Sequence, residues 1–152
     1  MIMDNLLEFA DATALSTASD SASVLVGDVV DTNVCQSGNT LTDIGNGRPM
    51  YWVLQVDTAI AGVSGTSTFQ LCSDSTADLA TSKTVHITSP TFTTAQLVAG
   101  MTWVAPLPPG CSYERYLGVW HTQATATLTA GKINSFLTLD PPVQKHYLDA
   151  VP

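Results

Sequence analysis

Positive charge is what this chain has least of. Among 152 residues the only basic ones are Arg48, Lys83, Arg115, Lys132 and Lys145, and the formal charge is −8. Proteins that grip nucleic acid neutralise phosphates with clusters of Lys and Arg. The five basic residues form no cluster, so DNA, RNA and anionic membrane surfaces do not fit as partners. Charge of either sign is scarce, at 12% of residues. The acidic balance favours solubility first and a basic protein partner second. Cysteine is also sparse: Cys35, Cys72 and Cys111 are widely spaced, with no Cys-x-x-Cys pair. That spacing argues against a zinc or redox site. The expectation is reduced thiols, with Cys72 a small core residue. No window approaches the ~18 apolar residues of a membrane-spanning helix. The opening Met1-Ile2-Met3-Asp4-Asn5-Leu6-Leu7-Glu8-Phe9 has two acids and no base, unlike a signal peptide, so a soluble cytoplasmic product is expected. No segment carries a long 3.6-residue period, and there is no internal repeat.

What is present is apolar and β-prone. Hydrophobic residues make up 45% of the chain, and Ser and Thr are abundant. Branched and small polar side chains suit half-buried pleated surfaces. A chain of this length is most simply one domain, able to bury roughly 70% of its unfolded surface. Residues 50–56 give the strongest strand, a run in which only Gln55 is polar, as for a central strand with both faces covered. Pro49 suits its start, where a lost N–H does little harm. Further strands are expected at 24–30, interrupted by Gly27-Asp28, and at 67–72, 84–88, 116–120, 125–129 and 132–139. Residues 61–65 read as a hairpin-like connection, and Ala130-Gly131 as a turn. Leu107-Pro108-Pro109-Gly110 has to be a connection, because paired prolines cannot continue a ladder. Short strands at roughly 10-residue spacing, joined by Gly and Pro turns, indicate an all-β sandwich or barrel. The boundaries are an N-terminal arm or short helix at 1–15, a β-sandwich at 16–140 and a C-terminal tail at 141–152.

Chemistry-bearing motifs are few. Gly45-Asn46-Gly47 lacks the third glycine of a nucleotide fingerprint and precedes a strand instead of a helix, so it reads as a turn. His86, His121 and His146 are dispersed, which disfavours a metal or base role. Asp28 with Asp31, or Asp74 with Asp78, lacks the oxygen-rich loop of a calcium site. No Gly-x-Ser-x-Gly or spaced Ser, His and acid set appears. Trp52, Trp103 and Trp120 fall in strands, where core packing is the default and an interface anchor the alternative. Glu114 and Arg115 read as a solvated loop edge or, more sharply, as a salt bridge between subunits.

Three segments in register carry a resemblance. They are Asp43-Ile44-Gly45-Asn46-Gly47-Arg48-Pro49-Met50-Tyr51; Leu107-Pro108-Pro109-Gly110 with Glu114-Arg115-Tyr116-Leu117; and Leu128-Thr129-Ala130-Gly131-Lys132 with Phe136-Leu137-Thr138-Leu139-Asp140. The opening Asp4-Asn5-Leu6-Leu7 with Phe9 and Asp11-Ala12 joins them. Together they resemble the Bbp16-type capsid cement proteins of tailed bacteriophages. The resemblance implies a jelly-roll-like antiparallel β-sandwich with extended N- and C-terminal segments. It implies a non-enzymatic cement or decoration protein, made in the host cytoplasm, that sits on the outer capsid surface of the virion. There it would bridge subunits of the major capsid protein and dock as a homodimer, with no cofactor and no catalytic residue. Candidate contacts are Leu6, Leu7 and Phe9 in the N-terminal segment, Arg48 in its loop, and Tyr147 and Leu148 in the tail, with Glu114 and Arg115 at a subunit edge. The competing readings are a sugar-binding or host-adhesion jelly roll, which needs an exposed Trp52, Trp103 or Trp120, and a cupin-type enzyme, which needs a histidine cluster.

Overall fold

The computed structural model describes residues 5–15, 23–32, 44 and 48–141. Among them lie a 3-10 turn at Asn5–Leu7 and nine strands: β1 (Glu8–Ala14), β2 (Ser23–Asp31), β3 (Tyr51–Gly62), β4 (Thr66–Asp74), β5 (Thr84–Thr88), β6 (Phe92–Thr93), β7 (Thr102–Pro106), β8 (Tyr116–Ala124) and β9 (Leu128–Thr138). Two sheets form, one ordered β1-β9-β3-β7, the other β2-β8-β4-β5 with β6 also pairing β4. Every pairing is antiparallel. Apart from the β4–β5–β6 stretch, successive strands alternate between the sheets, which is the double Greek-key wiring of a jelly roll.

The alternating side chains of each strand explain the sandwich. Trp52, Leu54 and Val56 of β3 lie opposite Leu137, Ser135 and Ile133 of β9. Facing them across the core are Phe69 and Leu71 of β4 and Leu117 and Val119 of β8, all fully buried. Trp52 meets Trp103 of β7 edge-on, with centroids 5.1 Å apart and planes at 89°. Its indole N–H donates to Ser135 Oγ at 2.9 Å, so the buried polar atom is satisfied. The central position expected for residues 50–56 is observed, with β3 flanked by β9 and β7.

Three expectations change. The segment 61–65 is not a hairpin, because β3 and β4 belong to different sheets and the connection arches between them. Ala130-Gly131 does not end a strand: β9 runs through both, and Gly131, at φ 139°, lies against Ile60 of β3 where a Cβ would come within 2.6 Å of that side chain. The N-terminal segment is not a separate arm either. β1 pairs with β9 from Glu8↔Phe136 to Ala14↔Lys132 and belongs to the sandwich. Phe9 and Ala10 are buried in the core, which removes Phe9 from the candidate contact surface.

The connection between β4 and β5 is also part of the packed structure. Asp74 anchors it, accepting from the N–H groups of Thr76 (3.2 Å) and Ser82 (3.3 Å) and from the hydroxyl of Ser75 (3.2 Å). Burial opposes ionisation of Asp74, but these hydrogen bonds outweigh it and hold the carboxyl below its usual range. Leu79, at φ 47°, is fully buried over Gly118, whose missing side chain leaves the slot it fills. Lys83 closes the far side, with its ammonium 4.0 Å from the centroid of the Trp120 ring.

Candidate functional site: the groove between β1 and β2

β1 and β2 each form one edge of their sheet, and they face each other along one side of the sandwich. They come close at Gly27, at φ 64°, where a Cβ would collide with the carbonyl of Phe9. Only glycine suits that backbone and that contact. Both strands are irregular, with register shifts at Glu8/Ala10 and Ala10/Thr13 in β1 and at Val26/Val30 in β2. Bulges of this kind blunt an edge against further strand pairing.

Beside the Gly27 contact lies a cavity of about 570 Å³, lined by the Asn5–Leu7 turn, β1, β2, Thr32 and Ile44. Its lining includes apolar Leu7, Val30 and Ile44, while Glu8, Asp11, Asp28 and Asp31 supply acids and no Lys or Arg among the described residues lines it. Burial, then repulsion from Asp11, raises the Glu8 carboxyl above its ordinary value. Asp31 is held from outside the groove by Arg115, whose Nε and Nη2 donate to its two carboxylate oxygens at 2.9 and 2.8 Å. The Arg115 carbonyl accepts from the N–H (2.9 Å) and hydroxyl (2.8 Å) of Thr32, tying the end of β2 to the start of β8.

The structure gathers some of the sequence-derived candidates here and disperses others. Leu6 is exposed at the groove and Leu7 packs against the core. Arg115 reaches the groove wall through Asp31, making a salt bridge within the chain. Glu114 lies elsewhere, its N–H donating to Ser73 Oγ at 3.1 Å. Arg48 is exposed. Tyr147 and Leu148 lie outside the described residues, as do the Gly45-Asn46-Gly47 turn, Cys35 and His146. The acids of the groove do not form a set in the sequence, because Glu8 and Asp11 sit on β1 and Asp28 on β2 and only the cross-sheet arrangement unites them.

Several other polar groups have structural partners. His86 Nε2 lies 2.7 Å from Ser73 Oγ, a Ser–His contact, but Ser73 is fully buried and the pair joins β4 to β5. Burial holds His86 below its ordinary value against the pull of Glu114. His121 is buried at the core edge, stacked on Phe69 with its Nε2 3.0 Å from Ser67 Oγ, and burial pushes its pKa down to about 4. Burial lifts the Cys72 thiol to about 11. Of the tryptophans, Trp52 is fully buried, while Trp103 and Trp120 are half-buried in the core edge and under Lys83 respectively. No group of three or more His, Cys, Asp and Glu among the described residues has the geometry to hold a metal ion.

An antiparallel jelly-roll sandwich with a groove along its β1–β2 side is thus the class of protein at hand. The family model for Bbp16 matches residues 9–137, from within β1 to within β9, and the chain belongs to the Bbp16 family. That makes it a phage-related protein. No curated protein matches it.

Proposed function

We propose that this protein is a capsid cement protein, bound to the outer surface of a phage head and bridging neighbouring major capsid subunits. The Bbp16 match across the whole sandwich carries this reading. The fold supports it: the strands form one well-packed body, with polar groups spent on fixing loops and edges. Its action is mechanical, without catalysis or cofactor, and repeated weak contacts on a symmetric lattice act together. It docks as a homodimer, contacting the shell through exposed positions such as Leu6 and Arg48. Because Phe9 and Ala10 are core residues, deleting the N-terminal segment would damage the fold; Leu6→Ser is the cleaner probe. Purified virions are expected to carry the protein on the head. Heads assembled without it are expected to bind it and then to withstand higher temperature. Its absence from the head lattice, together with failure to bind such heads, would sink the proposal.

A further inference from the structure

We propose that the β1–β2 groove receives an extended segment of a partner protein that carries apolar side chains flanked by Lys or Arg. This names the partner chemistry for the docking role above and rests on that reading. The cavity, about 570 Å³, falls within the roughly 300–1,000 Å³ typical of sites for small ligands. It has room for a few side chains, not for a folded domain. Leu7, Val30 and Ile44 supply apolar lining. Glu8, Asp11 and Asp28 surround it with negative charge, and among the described residues none of these three has a cationic partner. Asp31 differs, since Arg115 holds both its oxygens from outside.

The charge selects the occupant. The exposed Asp11 and Asp28 with half-buried Glu8 disfavour phosphate, anionic lipid and acidic peptide, and they favour a cation. Apolar lining adds the need for aliphatic or aromatic side chains beside that cation. Strand addition is not the mode. The edge of β1 is bulged and closed onto β2 where Phe9 meets Gly27, so side chains do the reading. The net charge of −8 also makes a basic segment of another protein a better fit than the acidic surface of a second copy.

Two arms test this with the full chain. In the first, amide NMR shifts follow titration with a capped peptide VKLRV and its acidic counterpart VELEV. Shifts confined to β1, β2 and residues 5–7, seen with VKLRV alone and weakened at least tenfold in the double variant Asp11→Lys/Asp28→Lys, support the proposal. Both substituted positions are exposed, and an unchanged thermal melt confirms the fold. In the second arm, wild type and double variant are bound to heads lacking the protein, where an at least tenfold loss of occupancy by the variant supports the groove even if the short peptide binds too weakly to register. Equal binding of wild type and variant to heads, or equal shifts from the two peptides, overturns the groove proposal and leaves attachment to heads standing. Acid-dependent peptide binding without any binding of wild type to heads does the reverse. Silence in both arms overturns both.

Discussion

Gly27 and His121 show how single residues constrain this protein. At Gly27 a side chain would have to adopt φ near 64° and would strike the Phe9 carbonyl. Gly27→Ala is expected to cost about 2 kcal/mol or more, measurable by chemical denaturation. His121 has no solvent exposure, and its Nδ1 has no hydrogen-bond partner among the described residues. Its folded pKa, about 4, lies below the ordinary 6.5. The unfolded chain therefore binds this proton more readily, so the neutral ring's contribution is complete above pH 6.5 and is lost as pH falls towards 4. The linkage amounts to about 3 kcal/mol between those limits. Denaturation midpoints measured from pH 7 to pH 4 are expected to fall, and His121→Gln is expected to flatten the profile in that window. A wild-type midpoint that stays level to pH 4 would contradict the buried neutral state. Neither role was legible in the sequence. Gly27 reads there only as an interruption of a strand, because the partner it approaches is on β1. His121 reads as one of three dispersed histidines, because burial is a property of the assembled sheets.

At the scale of strands and connections, local signals told more about position than about pairing. Alternation and apolar runs placed β3, β4 and β5 well, since burial on one or both faces imprints itself on consecutive residues. Turn signals misled wherever a glycine served packing. Gly131 reads as a breaker, but its role is to let Ile60 sit close while β9 continues. Residues 61–65 carry hairpin chemistry yet connect two sheets, and no local rule specifies which strand a chain will pair with next. No apolar run or alternation marks the β4–β5 connection as core, yet Leu79 within it is as buried as any core leucine. Leu79→Ala is therefore expected to destabilise by about 2–4 kcal/mol, the range for emptying a core site. Cys72, buried on the neighbouring strand β4, is expected to react faster with thiol reagents in that variant. Unchanged stability and unchanged labelling would show that the loop is dispensable.

Across the whole molecule, charge is distributed unevenly. The connections β3–β4, β6–β7 and β8–β9 come together at one end: Thr94 N–H donates to Gly65 O at 3.2 Å, and Gly62 lies against Thr127 and Leu128. From Thr58 to Ser73 and from Tyr116 to Gly131 the sequence has no charged residue, nor has it any from Thr84 to Tyr113. The acids of the groove therefore stand against a largely uncharged background. For the docking proposal this predicts that attachment to heads weakens as salt rises, through screening at the groove, and that Asp11→Lys/Asp28→Lys removes most of that dependence. A binding isotherm indifferent to salt would argue against it. The sandwich was legible from strand spacing, and its Bbp16 family from three motifs in register; the groove was not, because it is built from two edges that meet only after both sheets close. That closure has a kinetic side. β1 has its ladder partner in β9, with Glu8 opposite Phe136. During synthesis the first strand must wait for nearly the entire domain to leave the ribosome, so the groove is among the last features to form. Such sequence-distant pairing slows folding and leaves β1 exposed in the meantime, which makes its bulged, acid-bearing edge a safeguard for the nascent chain as well as a wall of the finished groove.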